Sequence, residues 1–479
     1  MIYVRLNEDN FEYDIYSLVK AFYPKEEVRI GTEAAPEDEG LLFCMNVNYE
    51  DHKLTLDGRE IEIDYSNRPD TKNRLKLAIY ESLSARTGKT LPWGTLTGIR
   101  PTKISLGMIE NGASDEQVAA YMKETYLTSQ EKIDLSLQVS HMEHKLLSKI
   151  DYDNGYSVYI GIPFCPSTCL YCSFTSYPIG LWTKKLDDYL AALEKEMAFT
   201  AEACKGKSLT TIYIGGGTPT SLDEEHMEKL LSLVDKYFDT ESLLEYTIEA
   251  GRPDSITYEK LQVMKNHPVT RISINPQTMN QKTLDLIGRF HKVEDIHKVF
   301  GWARELGFDN INMDMILGLP GETIDDVKYT LDEIKKLAPD NLTVHSLALK
   351  HSARLNIDRE AYDDYLIDNS QSHMDICLEA AKDMGMEPYY LYRQKNMAAN
   401  LENIGYATAG KEGLYNILIM EEKQTIMALG CGTACKFVTD HGATVTRCEN
   451  VKDVQLYMDR IDEMIDRKRE RLREDLKWL

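Results

Sequence analysis

Between Val158 and Leu349 the chain alternates short apolar runs with longer amphipathic ones. Val158–Ile162, Thr211–Ile214, Glu245–Ala250, Arg271–Asn275, Asn310–Leu317 and Leu342–Leu349 read as strands. The intervals carry helical spacing. Leu186, Tyr189, Leu190, Leu193 and Met197 share one face, as do Met227, Leu230, Leu231 and Val234. Strands separated so regularly by helices call for a parallel sheet, because a parallel pair needs a long crossover. Six such units make an incomplete (β/α) barrel, and such barrels gather their chemistry at the C-terminal ends of the strands.

At the first of those strand ends lies Cys165-Pro-Ser-Thr-Cys169-Leu-Tyr-Cys172. Three thiolates on one short loop can hold three irons of a [4Fe–4S] cube and leave the fourth iron open to a small molecule. Two other readings remain at this point, a zinc site and unconnected core cysteines. A tetrahedral zinc wants a fourth Cys or His close by, and the loop offers none. At the second strand end, Gly215-Gly-Gly217-Thr218-Pro219 follows Thr211-Ile-Tyr-Ile214. Glycines there let a ligand approach the backbone, although a Gly-rich strand end also makes ordinary turns.

Polar residues close the later strands. Glu249 sits in Thr-Ile-Glu-Ala-Gly-Arg-Pro-Asp, where a carboxylate can accept from a ribose or an amine. Gln277 ends Arg-Ile-Ser-Ile-Asn-Pro-Gln. Arg289, in Ile-Gly-Arg-Phe-His, offers a fork for a carboxylate, and Asp314 belongs to the fifth strand. Singly, each is an ordinary surface or capping residue. Their shared position at strand ends argues for a site.

The three-cysteine loop and the glycine turn together resemble the radical S-adenosylmethionine superfamily. That resemblance implies a [4Fe–4S] cluster on Cys165, Cys169 and Cys172. It also implies S-adenosyl-L-methionine chelated to the open iron, its methionine amino group on the glycine turn, and cleavage to a 5′-deoxyadenosyl radical. Tyr159-Ile-Gly-Ile-Pro-Phe-Cys165, the Gln277 strand, Gly288-Arg-Phe-His291 and Asn312-Met-Asp-Met-Ile-Leu-Gly-Leu-Pro320 narrow the match. Over residues 155 to 350 the chain resembles the oxygen-independent coproporphyrinogen III oxidase family. The N-terminal region and Tyr392-Arg-Gln-Lys…Asn400-Leu-Glu-Asn-Ile-Gly-Tyr406 are similar to its HemZ-type, coproporphyrinogen dehydrogenase-like branch.

The family's chemistry is oxidative decarboxylation of two propionates to vinyl groups, giving protoporphyrinogen IX, and its best-known members hold two S-adenosylmethionine molecules. Carried over residue by residue, cofactor contacts fall on Tyr159, Tyr171, Gly216, Gly217, Thr218, Glu249, Gln277, Arg289, Asp314 and Ala348. One departure matters. Decarboxylating members carry a fourth cysteine two positions after the third, where this chain has Phe174. A sister branch, the haem chaperones, also has an aromatic residue there. That branch carries His-Asn-x-x-Tyr-Trp after the barrel, where this chain reads Tyr389-Tyr-Leu-Tyr-Arg-Gln-Lys395.

Composition sets limits on partners and compartment. A net charge of −23 argues against general nucleic-acid binding, which needs a basic face. No apolar run is long enough to span a bilayer. The opening Met1-Ile-Tyr-Val-Arg-Leu-Asn-Glu is strand-like and charged and does not read as a signal peptide. Nine cysteines without such a signal point to a reducing compartment, the cytoplasm, and to metal chemistry.

Three segments are expected: an N-terminal α+β domain of undefined role over 1–150, the radical core over 151–350, and a C-terminal α+β, substrate-covering extension over 351–479. In the first, Tyr13–Phe22 and Asn73–Arg86 read as helices, and Gly40–Val47, Lys53–Leu56 and Glu60–Tyr65 as strands. Leu91-Pro-Trp-Gly-Thr-Leu-Thr-Gly-Ile-Arg100-Pro-Thr-Lys103 is a packed connector or a surface facing the site or a partner. Gln117–Ile150 reads as helical. In the last, Leu414–Met420 reads as a strand and Lys436–Cys448 as a hairpin turning at Asp440-His-Gly442. Asn450–Leu479 reads as a charged helix with a solvated face.

Cys431, Cys435 and Cys448 with His441 read as ordinary cysteines around a turn, the other possibility being a second metal site. Cys44, Cys204 and Cys377 read as core. Arg393 and Lys395 are candidates for holding substrate carboxylates, or else a solvated pair. The expected activity is decarboxylation of a porphyrinogen, with electrons from a flavodoxin- or ferredoxin-like donor. Its alternatives are a haem-binding chaperone and another radical reaction, such as methyl transfer, on a tetrapyrrole.

Overall fold

The computed structural model describes residues 1–35, 40–98, 100–152, 154–348, 353–357, 369–393 and 401–479, the side chains of Asn356 and His441 excepted. Lys395, Asn400, Leu349 and Ile99 lie outside the described residues. The chain divides into two compact units, one of residues 1–141 with 391–402, the other of 142–390 with 403–479.

The first unit is built on a five-stranded sheet. Its strands are β1 (Ile2–Leu6), β2 (Val28–Gly31), β3 (Phe43–Tyr49), β4 (Lys53–Leu56) and β5 (Arg59–Glu62), ordered β2-β1-β3-β4-β5. β1 runs parallel to both its neighbours, while β3, β4 and β5 are antiparallel. Asp57 and Gly58, both at positive φ, make the two-residue turn between β4 and β5. The helices Glu12–Phe22 and Arg68–Thr87 bury Leu18, Phe22, Leu75, Ile79 and Leu83 with Val4, Leu6 and Val47. Gln117–Ile150 is interrupted: helices run Asp115–Tyr126 and Gln130–Leu147, and Leu127 turns left-handed between them at φ 56°. The Leu91–Lys103 segment packs inward, since Trp93 is fully buried and its Nε1 donates to Glu402 at 2.7 Å. Cys44, expected in the core, is only half-buried because β3 alternates and places it on the less covered face.

The second unit carries an eleven-stranded sheet. In chain order its strands begin with β6 (Gly155–Ile162). The two-residue strands β7 (Phe164–Cys165) and β8 (Tyr177–Pro178) then pair apart from the sheet. β9 (Ser208–Gly216), β10 (Glu245–Glu249), β11 (Arg271–Ser273), β12 (Ile311–Leu317) and β13 (Asn341–Ser346) follow, then β14 (Glu387–Tyr392), β15 (Asn403–Ala407), β16 (Thr425–Leu429), β17 (Ala434–Thr439) and β18 (Thr444–Glu449). The order is β14-β15-β13-β12-β11-β10-β9-β6-β16-β17-β18.

All six expected strands are present and mutually parallel. A seventh, β16, joins them parallel to β6. The helices between the parallel strands bury the faces the periodicity assigned: Tyr189, Leu190, Leu193 and Met197 from Leu186–Ala203, and Met227, Leu230, Leu231 and Val234 from Glu224–Tyr237.

Two C-terminal expectations fail. Leu414–Met420 is a helix, Leu414–Glu421. Its apolar run carries no period of its own, and Glu245 accepts from the first backbone N–H groups, at Leu414 and Tyr415, fixing a helix start there. The terminal segment is not a solvated face. It breaks into helices Val454–Asp459 and Ile461–Arg471, and Tyr457, Met464, Leu472 and Lys468 are buried. The Lys436–Cys448 hairpin forms as β17 and β18, with Asp440–Gly442 between them.

Candidate active site

The parallel strands bring most of the chosen residues to one end of the sheet. The cysteine loop leaves β6 through Pro163, and β7 pins its start against β8. Cys172 N–H donates to Cys169 O at 3.1 Å, curling the loop, and Leu170 N–H donates to Ile287 O at 2.9 Å. Ser167 Oγ donates to Gly288 O at 3.2 Å, so the Gly288-Arg-Phe-His291 segment holds the loop from the other side. Leu170 is buried with Ile287, Ile316, Leu319 and Leu347, and Tyr171 packs on that cluster.

The glycine turn closes over the first cysteine. Gly217 N–H donates to Ile162 O and Thr218 N–H to Phe164 O, both at 2.8 Å. A Cβ on Gly217 would stand 2.3 Å from Phe164 O and 3.0 Å from Cys165 Sγ, so no larger residue fits without displacing the loop. Gly216 has φ 114°, a conformation L side chains avoid. A Cβ on Gly215 would meet the Glu249 carboxylate at 2.8 Å.

Glu249 ends β10 and receives the Tyr213 hydroxyl, which stacks on Tyr159 and Tyr415. Burial pushes its carboxyl up to about 7 and the nearby Asp314 adds to this, while the Tyr213 hydrogen bond and Arg271 oppose. Asp314, on β12, goes the other way. Burial would raise it, but His345, Asn312 and Thr343 hold it below the usual carboxylate range. Gln277 bridges to Met315 and sits at φ 66°, strained backbone for a residue with a side chain. Its Oε1 is buried with no partner among the described residues.

Arg289 is buried and donates to Asn275 O, to Pro276 O at 3.3 Å and to Gly251 O at 2.7 Å, leaving Nε without a partner among the described residues. Ala348, just past β13, is partly buried. Arg393 is not a solvated residue: it is buried in the first unit and donates to Leu96 O at 2.6 Å.

Sequence reasoning missed Arg252. It is 3% exposed, and its Nη1 donates to Ser167 O at 2.9 Å and to Cys169 Sγ at 3.2 Å. Its Nε and Nη2 grip Asp254 in a fork, at 3.0 and 2.6 Å. The signal was present in Gly-Arg-Pro-Asp: an arginine and an aspartate two apart, bent together by a proline. Burial and the neighbouring Cys169 and Cys172 push the Cys165 thiol up to about 12, with Arg252 and Arg289 opposing.

These residues fit an iron–sulfur cube. The donors are soft thiols, and the two arginines favour the thiolate forms a metal requires. Among the described residues no three His, Cys, Asp or Glu side chains stand close enough to hold one metal ion. A cube differs, because it gives each thiolate its own iron. The buried Gln277 Oε1 and Arg289 Nε are polar atoms that a polar cofactor would satisfy.

The Radical SAM superfamily model matches residues 159–334. Over its length the chain is similar to the oxygen-independent coproporphyrinogen-III oxidase-like protein HemZ of Bacillus subtilis, 37% identical over 97% of this chain and 96% of that one. It is similar to the heme chaperone HemW of Bacillus subtilis, 34% identical over 64% of this chain and 76% of that one. Its fold resembles that of the coproporphyrinogen III oxidase HemN from Escherichia coli, a radical SAM enzyme, with TM-score 0.52 and 24% identity over 67% of this chain and 72% of that one.

Proposed function

Because the chain belongs to the radical SAM superfamily, in the family of oxygen-independent coproporphyrinogen III oxidase-like proteins, we propose that it decarboxylates coproporphyrinogen III to protoporphyrinogen IX without oxygen, in haem biosynthesis in the cytoplasm. One observation carries the reading. The thiol loop, the glycine turn, Glu249, Gln277 and Asp314 gather at one end of the parallel strands, where a cofactor bound to the loop can reach all of them. The likeness to an oxidase-like relative over almost the whole chain supports the substrate class.

In this reading Cys165, Cys169 and Cys172 hold the cluster. Gly216, Gly217 and Thr218 present backbone to the methionine amino group. Glu249 would accept hydrogen bonds from the cofactor's amine or ribose, and Arg289, whose Nη1 and Nη2 donate to backbone carbonyls, would offer its remaining Nε to the cofactor carboxylate. Gln277, Asp314, Tyr159, Tyr171 and Ala348 line the same place. When bound, the cluster and S-adenosylmethionine supply a 5′-deoxyadenosyl radical, with electrons from a flavodoxin- or ferredoxin-like protein. Turning a propionate into a vinyl group would require loss of a β-hydrogen, carbon dioxide and one electron, the electron passing to a separate one-electron acceptor. The residues around the loop orient the reactants and keep water away.

A second reading has its own observation. Phe174 stands where decarboxylating relatives carry a cysteine, and it is 70% exposed beside the loop. The likeness to a heme chaperone points the same way. Anaerobic incubation of the reconstituted chain with coproporphyrinogen III, S-adenosylmethionine and a reductant separates the two. The expected result is vinyl product with roughly two 5′-deoxyadenosines per porphyrinogen, one per propionate. One tightly held haem per chain, with no porphyrinogen turnover, would replace the enzyme by the chaperone.

A further inference from the structure

We propose that Arg252 sets the reduction potential of the cluster through its hydrogen bond to the Cys169 sulfur. The local chain builds this contact. β10 ends at Glu249, and Pro253 opens the short 3₁₀ turn Pro253–Ser255, whose Ser255 Oγ donates back to Arg252 O at 2.8 Å. That turn folds the Asp254 carboxylate against two guanidinium nitrogens and freezes the plane of the fork. The remaining nitrogen, Nη1, faces the loop and bridges Ser167 O and Cys169 Sγ. The residue is 3% exposed, so water screens this contact little.

Adding an electron to a cluster increases the negative charge on its thiolate sulfurs. A fixed cation donating to one of those sulfurs therefore stabilises the reduced form more than the oxidised form, and the potential rises. Asp254 orients the fork and offsets part of its charge. Arg252 is thus a positioning residue that acts through a cluster ligand and does not touch the reacting atoms. The inference rests on the reading that Cys165, Cys169 and Cys172 carry the cluster.

The test is a redox titration of the anaerobically reconstituted full chain, followed by electron paramagnetic resonance, with iron and sulfide counted in each sample. Arg252→Met is expected to shift the equilibrium toward the oxidised cluster about tenfold, which for one electron is about 59 mV lower. Arg252→Lys shifts it less, because an ammonium keeps the charge but cannot serve Asp254, Ser167 and Cys169 together. Asp254→Asn shifts it the opposite way, by removing a negative charge from the same place. If Arg252→Met loses the cluster, Arg252→Lys and Asp254→Asn still give the two opposed shifts. A full cluster in Arg252→Met with a potential like the wild type overturns the tuning role. Loss of the cluster from all three variants also overturns it and leaves Arg252 holding the loop's shape. Wild-type chain that takes up no iron overturns the cluster reading itself.

Discussion

Two groups of three cysteines stand beyond neighbouring parallel strands. Cys165, Cys169 and Cys172 follow β6, and Cys431, Cys435 and Cys448 follow β16, which pairs with it. Each group opens with two cysteines four apart, and it is their partners that tell the groups apart. Cys431 Sγ donates to Lys452 O at 2.9 Å. Cys435 Sγ lies against Ala428, accepting from its N–H at 3.2 Å and donating to its carbonyl at 3.4 Å, and Cys448 faces Cys435 across the hairpin. These thiols serve the backbone, as small core residues do. Around the first group, Arg252 donates to one sulfur, and the Gly217 backbone packs so closely beside another that a Cβ there would stand 3.0 Å from Cys165 Sγ. Burial raises both the Cys165 and the Cys431 thiols to about 12, but the carboxylates Asp453 and Glu196 add to the rise at Cys431, whereas Arg252 and Arg289 oppose it at Cys165. Metal-binding cysteines are recognised by what surrounds the sulfur, because a thiolate needs cations or donors nearby.

The largest expected effect tests that contrast directly. Cys165→Ala, Cys169→Ala and Cys172→Ala should each drop iron from about four per chain toward zero and remove the brown absorption, if these three thiolates carry the cube as proposed. Cys431→Ala and Cys435→Ala should keep the iron. Half the iron lost from the second pair would mean that backbone-bonded thiols do bind metal here.

The second group should instead reveal itself in stability. Beneath it lies Glu196, fully buried. It takes Lys468 in an ion pair, Gly430 N–H and Asn450 Nδ2 at 2.8 Å, and the Tyr457 hydroxyl at 2.6 Å. Glu196→Ala strands a buried ammonium and should cost roughly 3–5 kcal/mol. Chemical unfolding of the metal-free chain reads this. Iron uptake by the folded fraction should stay at about four per chain. Unchanged unfolding would show that water replaces the lost carboxylate.

The barrel was legible in the sequence because its strands and helices differ in period. Tyr189, Leu193 and Met197 recur at helical spacing, and polar residues such as Glu249 and Gln277 stand at or just past strand ends. What was hidden depends on distant partners. Glu245 caps a helix beginning 169 residues later, so Leu414–Met420 looked like a strand. β16 is a short strand recognisable only by its pairing with β6. Lys468 sits in a highly charged stretch and looked solvated, and no local pattern announces that Glu196 waits for it in the core. At the site, the cysteine loop and the strand-end residues were legible as motifs. Arg252 was legible only in its local pairing with Asp254, because the sulfur it serves lies 83 positions away.

The smallest expected effect concerns charge at the cofactor end. The ion pair under the hairpin is satisfied in the folded chain, whereas Glu249 is held near neutrality awaiting a partner. Burial, then the Asp314 charge, raise its carboxyl from 4.5 to about 7. Between those values the folded chain keeps a proton that the unfolded chain has lost. Stability therefore falls as pH rises through that window, and the loss is complete above pH 7. It amounts to at most roughly 3 kcal/mol. Glu249→Gln removes the titration while keeping the size of the side chain. Relative to the wild type, the variant should gain stability between pH 5 and pH 8, read as the difference in unfolding midpoint of the two metal-free proteins. An equal difference at both pH values would mean that Glu249 is already charged in the empty site, stabilised by Tyr213 and Arg271. The cofactor end would then resemble the hairpin end, with its charges settled before any ligand arrives.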